Sequence, residues 1–406
     1  MNTLDDWLRW QENLFLSAIK LGLERIRSVA GRMDLLQLPV PVITVGGTNG
    51  KGSTCAMLTQ ILRQQGYKVG TYTSPHLMRY NERIAIDGGP LTDTAICTAF
   101  AAIDKARDDI NLTYFEFGTL AAVWSFLQAR VDVMVLEVGL GGRLDACNLW
   151  DADVAIITSI GIDHVEWLGD NREAIGREKA GIMRAGRPIV CGDPQPPASI
   201  ASEAARIGAQ LLQYGQDFSS EGIPQPALKG DVQLRNAACV VTALQQLQNR
   251  LPVSAEAIAS GLACVTLAGR MQRVHNDPEL ILDVAHNPEA AKELAGWLKK
   301  NPVDGKISAI FSILADKDIV GVVETLAMHM DEWHLVPLAS NRSMSVEALS
   351  EKMRAAGVQT PIHTHPDFQS AWNVASFSAG KQDRVVAFGS FLVVSGMLET
   401  LVPQQR

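Results

Sequence analysis

The sequence lacks closely spaced cysteines and long apolar runs. Its six cysteines are scattered through 406 residues, a spacing that indicates neither a zinc site nor a disulfide framework and that fits a reducing compartment. No uninterrupted apolar stretch is long enough to span a bilayer. Residues 1–20 contain early acids and amphipathic spacing where a signal peptide has a basic start and an apolar core. We therefore expect a cytoplasmic protein.

The chain also has fewer basic residues than acidic residues. Lys and Arg number 36 against 44 Asp and Glu, which gives a net charge of −8. This balance excludes a general attraction to nucleic acid or to anionic membranes, although a local basic pocket for a small anion remains allowed. The length exceeds what one core usually supports, so the sequence predicts two domains.

The first part of the chain, from residue 41 to about residue 215, alternates β-branched runs with amphipathic segments. This alternation predicts a parallel sheet covered by helices. Residues 133–136 are apolar on both faces, as in a central parallel strand. The predicted strands are 42–45, 69–73, 131–138, 154–160 and 188–191, and the predicted helices are 53–65, 93–106, 115–128 and 172–183.

A loop rich in Gly, Pro and Ser is predicted at 216–230, before a second alternating series. The loop is followed by predicted helices at 232–247 and 255–263, and later by predicted strands at 280–283, 307–313, 334–337 and 385–388. We expect one domain over residues 1–267 and a smaller α/β domain over residues 268–406.

A glycine-rich turn connects the first predicted strand to a helix. Its sequence is Gly46-Gly47-Thr48-Asn49-Gly50-Lys51-Gly52-Ser53-Thr54. Glycines let backbone N–H groups face an anion, and the helix adds the positive end of its dipole. The spacing departs from a strict P-loop, because Val45 replaces the first glycine and Gly52 separates Lys51 from the hydroxyl. The turn predicts a nucleotide triphosphate site; the alternative is a plain turn with an exposed lysine.

Three polar residues follow or end predicted strands and are candidate ligands for a divalent cation. Glu137 interrupts the otherwise apolar strand predicted at 131–138, Ser74 ends the strand predicted at 69–73, and His164 follows the strand predicted at 154–160. A buried carboxylate is costly without a partner, so Mg²⁺ is a sensible one for Glu137. Asp163 is a candidate to orient the imidazole. The alternatives are a turn at Ser74-Pro75 and a surface or hydrogen-bonded histidine.

The second domain offers one further segment, Asp283-Val284-Ala285-His286-Asn287-Pro288, between an apolar strand and a helix. By itself it is typical of an Asp or Asn helix cap with proline in the first turn. Arg270, at the predicted boundary, is either a second phosphate contact or a solvated linker arginine.

Five motifs occur together and in order along nearly the whole chain. The set closely resembles the folylpolyglutamate synthases of the Mur ligase superfamily, and the segments 112–119 and 21–25 are similar to the bifunctional bacterial branch that also acts as dihydrofolate synthase. The motifs are Gly47-Thr48-Asn49-Gly50-Lys51-Gly52-Ser53, Tyr72-Thr73-Ser74-Pro75-His76-Leu77, Glu137-Val138-Gly139-Leu140-Gly141-Gly142-Arg143-Leu144-Asp145, Glu178-Lys179-Ala180-Gly181 and Asp283-Val284-Ala285-His286-Asn287-Pro288.

The resemblance implies a P-loop-type Mur ligase ATPase domain followed by a smaller Rossmann-like domain. It implies an ATP-dependent ligase that joins L-glutamate to dihydropteroate and to reduced or polyglutamyl folates through an acyl phosphate. The expected cofactors are ATP and two Mg²⁺ ions. The expected partners are these small molecules, with no nucleic acid and no membrane, and we expect a monomer.

The resemblance also carries residue roles. Lys179 matches a lysine that the family carbamylates, and its alternative is a plain surface lysine. Lys51, Glu137, His164 and Lys179 are the catalytic candidates, and Ser74, Glu137 and His164 the metal ligands. Contacts to ATP fall on Thr48, Asn49, Gly50, Lys51, Gly52, Ser53, Asn236, Arg270 and Asp283. Contacts to the pterin substrate fall on Ala18, Ile19, Lys20, Leu21, Thr113, Tyr114, Phe115, Glu116, Leu144, Asp145 and Ala146.

The sequence departs from the family pattern at four places. Ala268 replaces a frequent proline, Cys147 a common threonine and Val284 a usual glycine, and the loop 216–230 is short for the bifunctional branch. Competing interpretations are folylpolyglutamate synthase activity alone, a Mur ligase for cell-wall precursors, a phosphate-cradle ATPase or kinase, and a nucleotide-sensing module. Residues 113–116 argue against the cell-wall ligase, and an ATPase or kinase gives no role to Lys179 or Asp283.

Overall fold

A computed structural model describes residue 1, residues 3–14 and residues 20–401. The chain forms two compact units. The first comprises Met1–Ala227 and Gln233–Val265, and the second comprises Leu228–Val232 and Thr266–Arg406. None of the helices in the described residues is both long and apolar enough to cross a membrane.

The first unit is built on an eight-stranded sheet, with strand order β4-β3-β2-β5-β1-β6-β7-β8 given the numbering below. Pairing is parallel except between β2 and β3 and between β3 and β4. The glycine-rich turn follows the central strand β1. The strands are β1 (Val42–Gly46), β2 (Val69–Tyr72), β3 (Ile84–Ile86), β4 (Gly89–Pro90), β5 (Val133–Glu137), β6 (Val154–Ile157), β7 (Pro188–Cys191) and β8 (Gln210–Gln213).

Helices flank this sheet, and two buried apolar clusters lie between the layers. One cluster includes Phe100, Phe117 and Phe126, and the other includes Ile175 and Ile200. The helices are α1 (Leu4–Asn13), α2 (Glu24–Arg32), α3 (Lys51–Gln64), α4 (Asp93–Arg107), α5 (Tyr114–Ala129), α6 (Val165–Leu168), α7 (Arg172–Ala180), α8 (Ala198–Ile207), α9 (Asp231–Gln246) and α10 (Ala255–Cys264), with 3₁₀ turns at Tyr80–Arg83 and Ala146–Leu149.

The second unit contains a six-stranded sheet in the order β13-β12-β11-β14-β10-β9. Only β9 pairs antiparallel, with β10. Phe311, Trp333 and Phe388 pack together in its core. Its elements are β9 (Gln272–Asn276), β10 (Glu279–Leu282), α11 (Pro288–Lys300), β11 (Ile307–Phe311), α12 (Ile319–Leu326), a 3₁₀ turn (Ala327–His329), β12 (Glu332–Leu335), α13 (Val346–Ala355), β13 (Ile362–Thr364), α14 (Phe368–Ser378), β14 (Arg384–Phe388) and α15 (Phe391–Leu401).

The α/β class with mainly parallel sheets is confirmed, and the differences lie at element ends and sheet edges. The strand predicted at 154–160 ends at Ile157, because the residues after it bond to the glycine-rich turn. The helix predicted at 172–183 ends at Ala180. Sequence patterns did not reveal β3, β4, β8, β9 and β13, all of which lie at or next to a sheet edge and have little apolar periodicity.

Candidate active site

The glycine-rich turn after β1 has a backbone that only glycine adopts easily. Gly47 has φ +142° and Gly50 has φ +87°. A Cβ atom on Gly47 would lie 1.9 Å from the Thr158 hydroxyl oxygen, and one on Gly50 would lie 3.0 Å from Oδ1 of Asn236. The backbone conformation disfavours a side chain at both positions, and at Gly47 the available space excludes one as well.

Side chains and backbone from the end of β6 hold this turn in place. Backbone N–H groups of Thr48 and Asn49 donate to the carbonyl and hydroxyl oxygens of Ser159, at 2.8 and 3.0 Å. Thr158 Oγ1 donates to the Asn49 carbonyl at 2.6 Å, and Thr48 Oγ1 donates to the Gly161 carbonyl at 3.1 Å. These bonds fix the turn before any ligand arrives.

Lys51 and Ser53 lie in the first turn of α3. The Lys51 ammonium donates to the carbonyls of Gly47 and Thr48 at 3.0 and 3.1 Å, so it folds back over the turn. The alternative interpretation, a plain turn with an exposed lysine, is therefore wrong. The Ser53 hydroxyl is buried and has no hydrogen-bond partner among the described residues. A buried hydroxyl without a partner costs about 1–3 kcal/mol, which a bound ligand can recover.

The predicted metal ligands come from the ends of β2, β5 and β6. Glu137 is buried and ends β5, where the strand register places it opposite Val45 of β1. The Ser74 backbone N–H donates to Glu137 Oε2 at 3.2 Å, so these two residues lie together. No cluster of three His, Cys, Asp or Glu side chains suited to a metal is found in the described part of the chain. The predicted set needs only two such residues, because its third member is a serine.

His164 sits at the N-terminus of α6 in the left-handed region, with φ +53°. It is half-buried, and Asp163 Oδ1 accepts its backbone N–H at 2.8 Å. Gly161, three residues earlier, is bonded to Thr48 of the glycine-rich turn. His164 therefore follows, three residues later, a segment that is bonded to the glycine-rich turn. Orientation of its imidazole by Asp163 stays a prediction.

Lys179 is buried near the end of α7, with 3% of its surface exposed. The alternative of a plain surface lysine is therefore wrong. Its carbonyl and that of Glu178 lie 3.0 and 2.8 Å from where a Cβ on Gly142 would be, so the loop after β5 packs against this helix end. Arg143 adds an ion pair to Glu178 at 2.9 Å.

The predicted pterin-binding segments that the structure describes lie together. Thr113 and Glu116 form a capping box at the start of α5, with bonds of 3.2 and 2.8 Å. The Gly22 N–H donates to the Leu144 carbonyl at 3.4 Å, which joins the segment containing Lys20 and Leu21 to the loop after β5. Ala18 and Ile19 lie outside the described residues. Tyr114, Phe115 and Ala146 belong to the same segments.

Asp145 organises the loop after β5 from within. Its buried carboxylate accepts N–H bonds from Gly139, Leu140 and Cys147 at 2.9 to 3.0 Å. Burial raises the pKa of Asp145 to about 6, opposed by these backbone bonds. The Asp145 carboxylate therefore fixes the conformation of the loop after β5. The predicted contact of Asp145 with the substrate stays a prediction.

Arg270 and Asp283 lie together in the second unit. The buried Asp283 carboxylate accepts N–H bonds from Met271 and Ala285 at 2.9 and 2.8 Å. Burial raises the pKa of Asp283, and the Arg270 charge opposes that shift. The Arg270 guanidinium lies over the Phe391 ring, 5.4 Å from its centroid. Arg270 is therefore packed and half-buried, which does not fit a solvated linker arginine.

Comparisons with known proteins match both units to Mur ligases. Residues 45–225 match the Mur ligase middle domain, and residues 269–391 match the Mur ligase glutamate ligase domain. The dihydrofolate synthase/folylpolyglutamate synthase of Escherichia coli is 44% identical, over 98% of this chain and 95% of its own length. The chain belongs to the dihydrofolate synthase/folylpolyglutamate synthase family of Mur ligases. As a member of that family it is an ATP-dependent ligase, as the sequence predicted.

Solved structures of this family have the same fold. E. coli FolC in complex with DHPP and ADP superposes with a TM-score of 0.93 at 43% identity, and 98% of each chain is covered. The bifunctional folylpolyglutamate synthase/dihydrofolate synthase of Yersinia pestis, complexed with AMPPNP and a Mn ion, gives a TM-score of 0.91 at 44% identity. That match covers 99% of this chain and 98% of the Yersinia chain.

Sequence reasoning missed residues that support this family's motifs from elsewhere. Thr158 and Ser159 hold the glycine-rich turn in place. Their sequence signal was the pair of hydroxyl residues that follows an apolar run.

Arg83 supports the second motif, because its Nε donates to Nδ1 of His76 at 2.8 Å. Burial and the Arg83 charge lower the pKa of His76 to about 4, so this imidazole is neutral at ordinary pH. That partnership joins residues seven apart and has no signal in the sequence.

Proposed function

We propose that this chain uses ATP to join L-glutamate to dihydropteroate and to folylglutamates. The observation that carries the proposal is the glycine-rich turn 46–54, which we call the phosphate cradle. This rigid turn precedes a helix in which the buried Ser53 hydroxyl has no hydrogen-bond partner among the described residues. Full-length similarity to bifunctional synthases supports both acceptors. Nothing in the described residues favours a cell-wall ligase, a kinase or a nucleotide sensor.

We assign the nucleotide phosphates to the cradle. Backbone N–H groups around Gly50 and Gly52 and the Lys51 ammonium suit phosphate oxygens, because a glycine turn at a helix N-terminus favours anions. Thr48 and Asn49 form the turn, and Asn236 lies against Gly50 within the same unit. Arg270 and Asp283 stay predicted nucleotide contacts of the second unit.

Divalent cation binding is assigned to Ser74, Glu137 and His164. A buried carboxylate beside Ser74 fits a hard cation, and the unpartnered Ser53 hydroxyl offers a further oxygen. When bound, Mg²⁺ would neutralise charge on the transferring phosphoryl group. We further propose a second Mg²⁺ and carbamylation of Lys179, supported by the burial of that lysine near the loop after β5.

The chemistry follows from the poor reactivity of a carboxylate. An acceptor carboxylate oxygen attacks the γ-phosphorus of ATP, the bond from that phosphorus to the bridging oxygen breaks, and ADP leaves. The amine of L-glutamate then attacks the acyl carbon, loses a proton and expels inorganic phosphate, which leaves an amide. Lys51 holds phosphate charge during the first step, and the rigid cradle supplies positioning.

An ADP-release assay tests the function. Purified protein with L-glutamate and Mg²⁺ should release ADP only when dihydropteroate or a reduced folate is added, with one glutamate adduct formed per ADP. ADP release independent of both acceptors would contradict the ligase and favour an ATPase. Activity with reduced folate alone would reduce the function to folylpolyglutamate synthesis.

Glu137→Gln provides the matched test of the metal assignment, because it keeps the shape of the side chain and removes its charge. We expect loss of activity and a higher Mg²⁺ requirement, since a neutral amide is a weaker ligand for a hard cation. Near wild-type turnover at limiting Mg²⁺ would show that Glu137 is not a ligand. A cytoplasmic location remains part of the proposal and is supported by the six free cysteines, which suit a reducing compartment. The monomeric state is a further part of the proposal, which a size measurement in solution checks.

A further inference from the structure

Arg25 of α2 bonds to two of the three segments assigned to the pterin acceptor. Its Nη2 donates to the Lys20 carbonyl at 2.7 Å and lies 3.1 Å from Glu116 Oε1. Its Nε donates to Glu116 Oε2 at 3.4 Å. The third segment is joined next to it, through the bond from Gly22 to Leu144. Arg25 thus joins two of these segments directly, and the third is attached through the neighbouring Gly22.

The ion pair between Arg25 and Glu116 is shielded from water. The Glu116 side chain is 4% exposed and that of Arg25 is 19% exposed. A surface pair in the same unit, Arg206 with Glu203, has exposures of 68% and 24%. Breaking a buried pair is costly because it leaves one charge desolvated, whereas surface pairs contribute little. The Arg25 pair is therefore a strong constraint on the segments it joins.

Glu116 transmits this constraint to the start of α5. Its Oε2 also accepts the Thr113 N–H at 2.8 Å, and Thr113 Oγ1 accepts the Glu116 N–H at 3.2 Å. The carboxylate is thus committed to Arg25 and to the helix cap at the same time. Its position fixes the orientation of the 113–116 turn relative to residues 20–22.

We propose that Arg25 is a positioning residue for the acceptor. Its bonds to Lys20 and Glu116 hold residues 20–22 and 113–116 together, and the Gly22–Leu144 bond adds residues 144–146 to the same binding surface. The inference rests on the proposed function, in which these segments bind the pterin. Preorganised surfaces bind more tightly because less ordering remains to be done on association. The phosphate cradle is held by other residues, at the ends of β1 and β6, so ATP binding should not depend on Arg25.

The experiment compares Arg25→Met, Glu116→Gln, the double variant and Arg25→Lys, with Arg206→Met as the surface control. Glu116→Gln keeps an oxygen for the helix cap while it removes the charge. We expect the KM for dihydropteroate to rise about tenfold or more in both single variants, with the KM for ATP unchanged. The double variant should be no worse than the worse single variant, because both remove one interaction.

Partial recovery in Arg25→Lys would support a charge-dependent positioning role. Equal rises in the KM for ATP and for dihydropteroate, with a lower melting temperature, would show a merely structural role and overturn the proposal. So would additive single effects or an unchanged acceptor KM.

Calorimetric binding of dihydropteroate to the same variants separates this inference from the function itself. Should the wild-type protein bind dihydropteroate without turning it over, the proposed activity fails while the Arg25 effect is still measured. Should it not bind dihydropteroate at all, both fail.

Discussion

The loop from β1 to α3 and the loop from β10 to α11 differ in how their polar groups are hydrogen-bonded. After β1, no side chain caps α3, and the buried Ser53 hydroxyl in its first turn has no partner among the described residues. After β10, Asp283 accepts two backbone N–H groups and Asn287 caps α11 by accepting the Ala290 N–H at 3.0 Å.

The difference indicates what each loop is for. A helix start whose polar groups are satisfied internally is a structural joint, as the Asp or Asn cap interpretation of residues 283–288 predicted. A rigid helix start that leaves a buried hydroxyl unsatisfied is costly unless a ligand completes it. This difference supports our proposal that the first unit binds the phosphates, whereas the Asp283 carboxylate organises the loop beside Arg270.

The largest expected effect comes from Gly47→Ala in the first loop. The new Cβ would collide with the Thr158 hydroxyl and strain a φ of +142°, so the cradle must move. Displacement of about 1 Å near a reacting group costs roughly 100-fold in rate, and we expect at least that loss in kcat/KM. Gly296→Ala in α11 is the control, because a Cβ there meets nothing within 4 Å. Equal activity of the two variants would remove the argument for a rigid cradle.

Ser53→Ala separates ligand binding from folding. Without nucleotide we expect equal or higher stability, since the change removes an unsatisfied buried hydroxyl. With Mg²⁺ and ATP we expect about tenfold weaker binding, seen as a smaller rise in melting temperature. Ser125→Ala, on α5, removes another buried hydroxyl that has no partner in the described part of the chain, and it should leave nucleotide binding unchanged. A full nucleotide-induced rise in Ser53→Ala would show that this hydroxyl has no ligand.

Asp283→Asn tests the hydrogen bonds of the loop between β10 and α11. An amide has one acceptor oxygen in place of two, so either the Met271 or the Ala285 N–H loses its partner. We expect a loss of about 1–3 kcal/mol in the stability of the second unit, seen as faster amide exchange near residues 271 and 285. Unchanged exchange at both positions would mean that the carboxylate does not organise the joint.

The smallest effect should be a pH dependence of the His334 cluster in the second unit. His334 Nδ1 lies 2.9 Å from Nε2 of His365, and His334 Nε2 lies 3.4 Å from Oε1 of Glu332. The ring of His363 stacks on the ring of His334. Asp367 is the acidic residue that acts on His365. Burial lowers the pKa of His334, partly opposed by Glu332, and also lowers that of His365. Because these imidazoles have a lower pKa in the folded than in the unfolded protein, the unfolded state binds more protons as the pH falls. The second unit is therefore fully stable above about pH 6.5 and loses stability on acidification.

Amide exchange in β12 and β13, followed from about pH 7.5 to about pH 5.5, measures this loss. His334→Asn should flatten the dependence, and His329→Asn, outside the cluster, should leave it unchanged. A wild-type profile in His334→Asn would assign the dependence to other groups.

The predicted core strands and the glycine turn agree with the structure because their signals are local. Apolar runs and a Gly-rich turn act over a few residues, which sequence patterns capture. The role of Asp145 shows the limit. Its predicted substrate contact stays a prediction, and the sequence did not reveal that its carboxylate accepts three backbone N–H groups of its own loop. Sequence does not show where a carboxylate finds its partners.

The sequence by itself determined the α/β class, the two-part organisation, the glycine-rich turn and the family, since these depend on local periodicity and on motif order. Tertiary structure decided which side chains serve those motifs. Thr158 locks a turn more than a hundred residues earlier, and Arg25 pairs with Glu116 ninety-one residues later. Such partnerships depend on how strands and helices pack, because packing brings distant residues within hydrogen-bond range and removes the water that would otherwise weaken them.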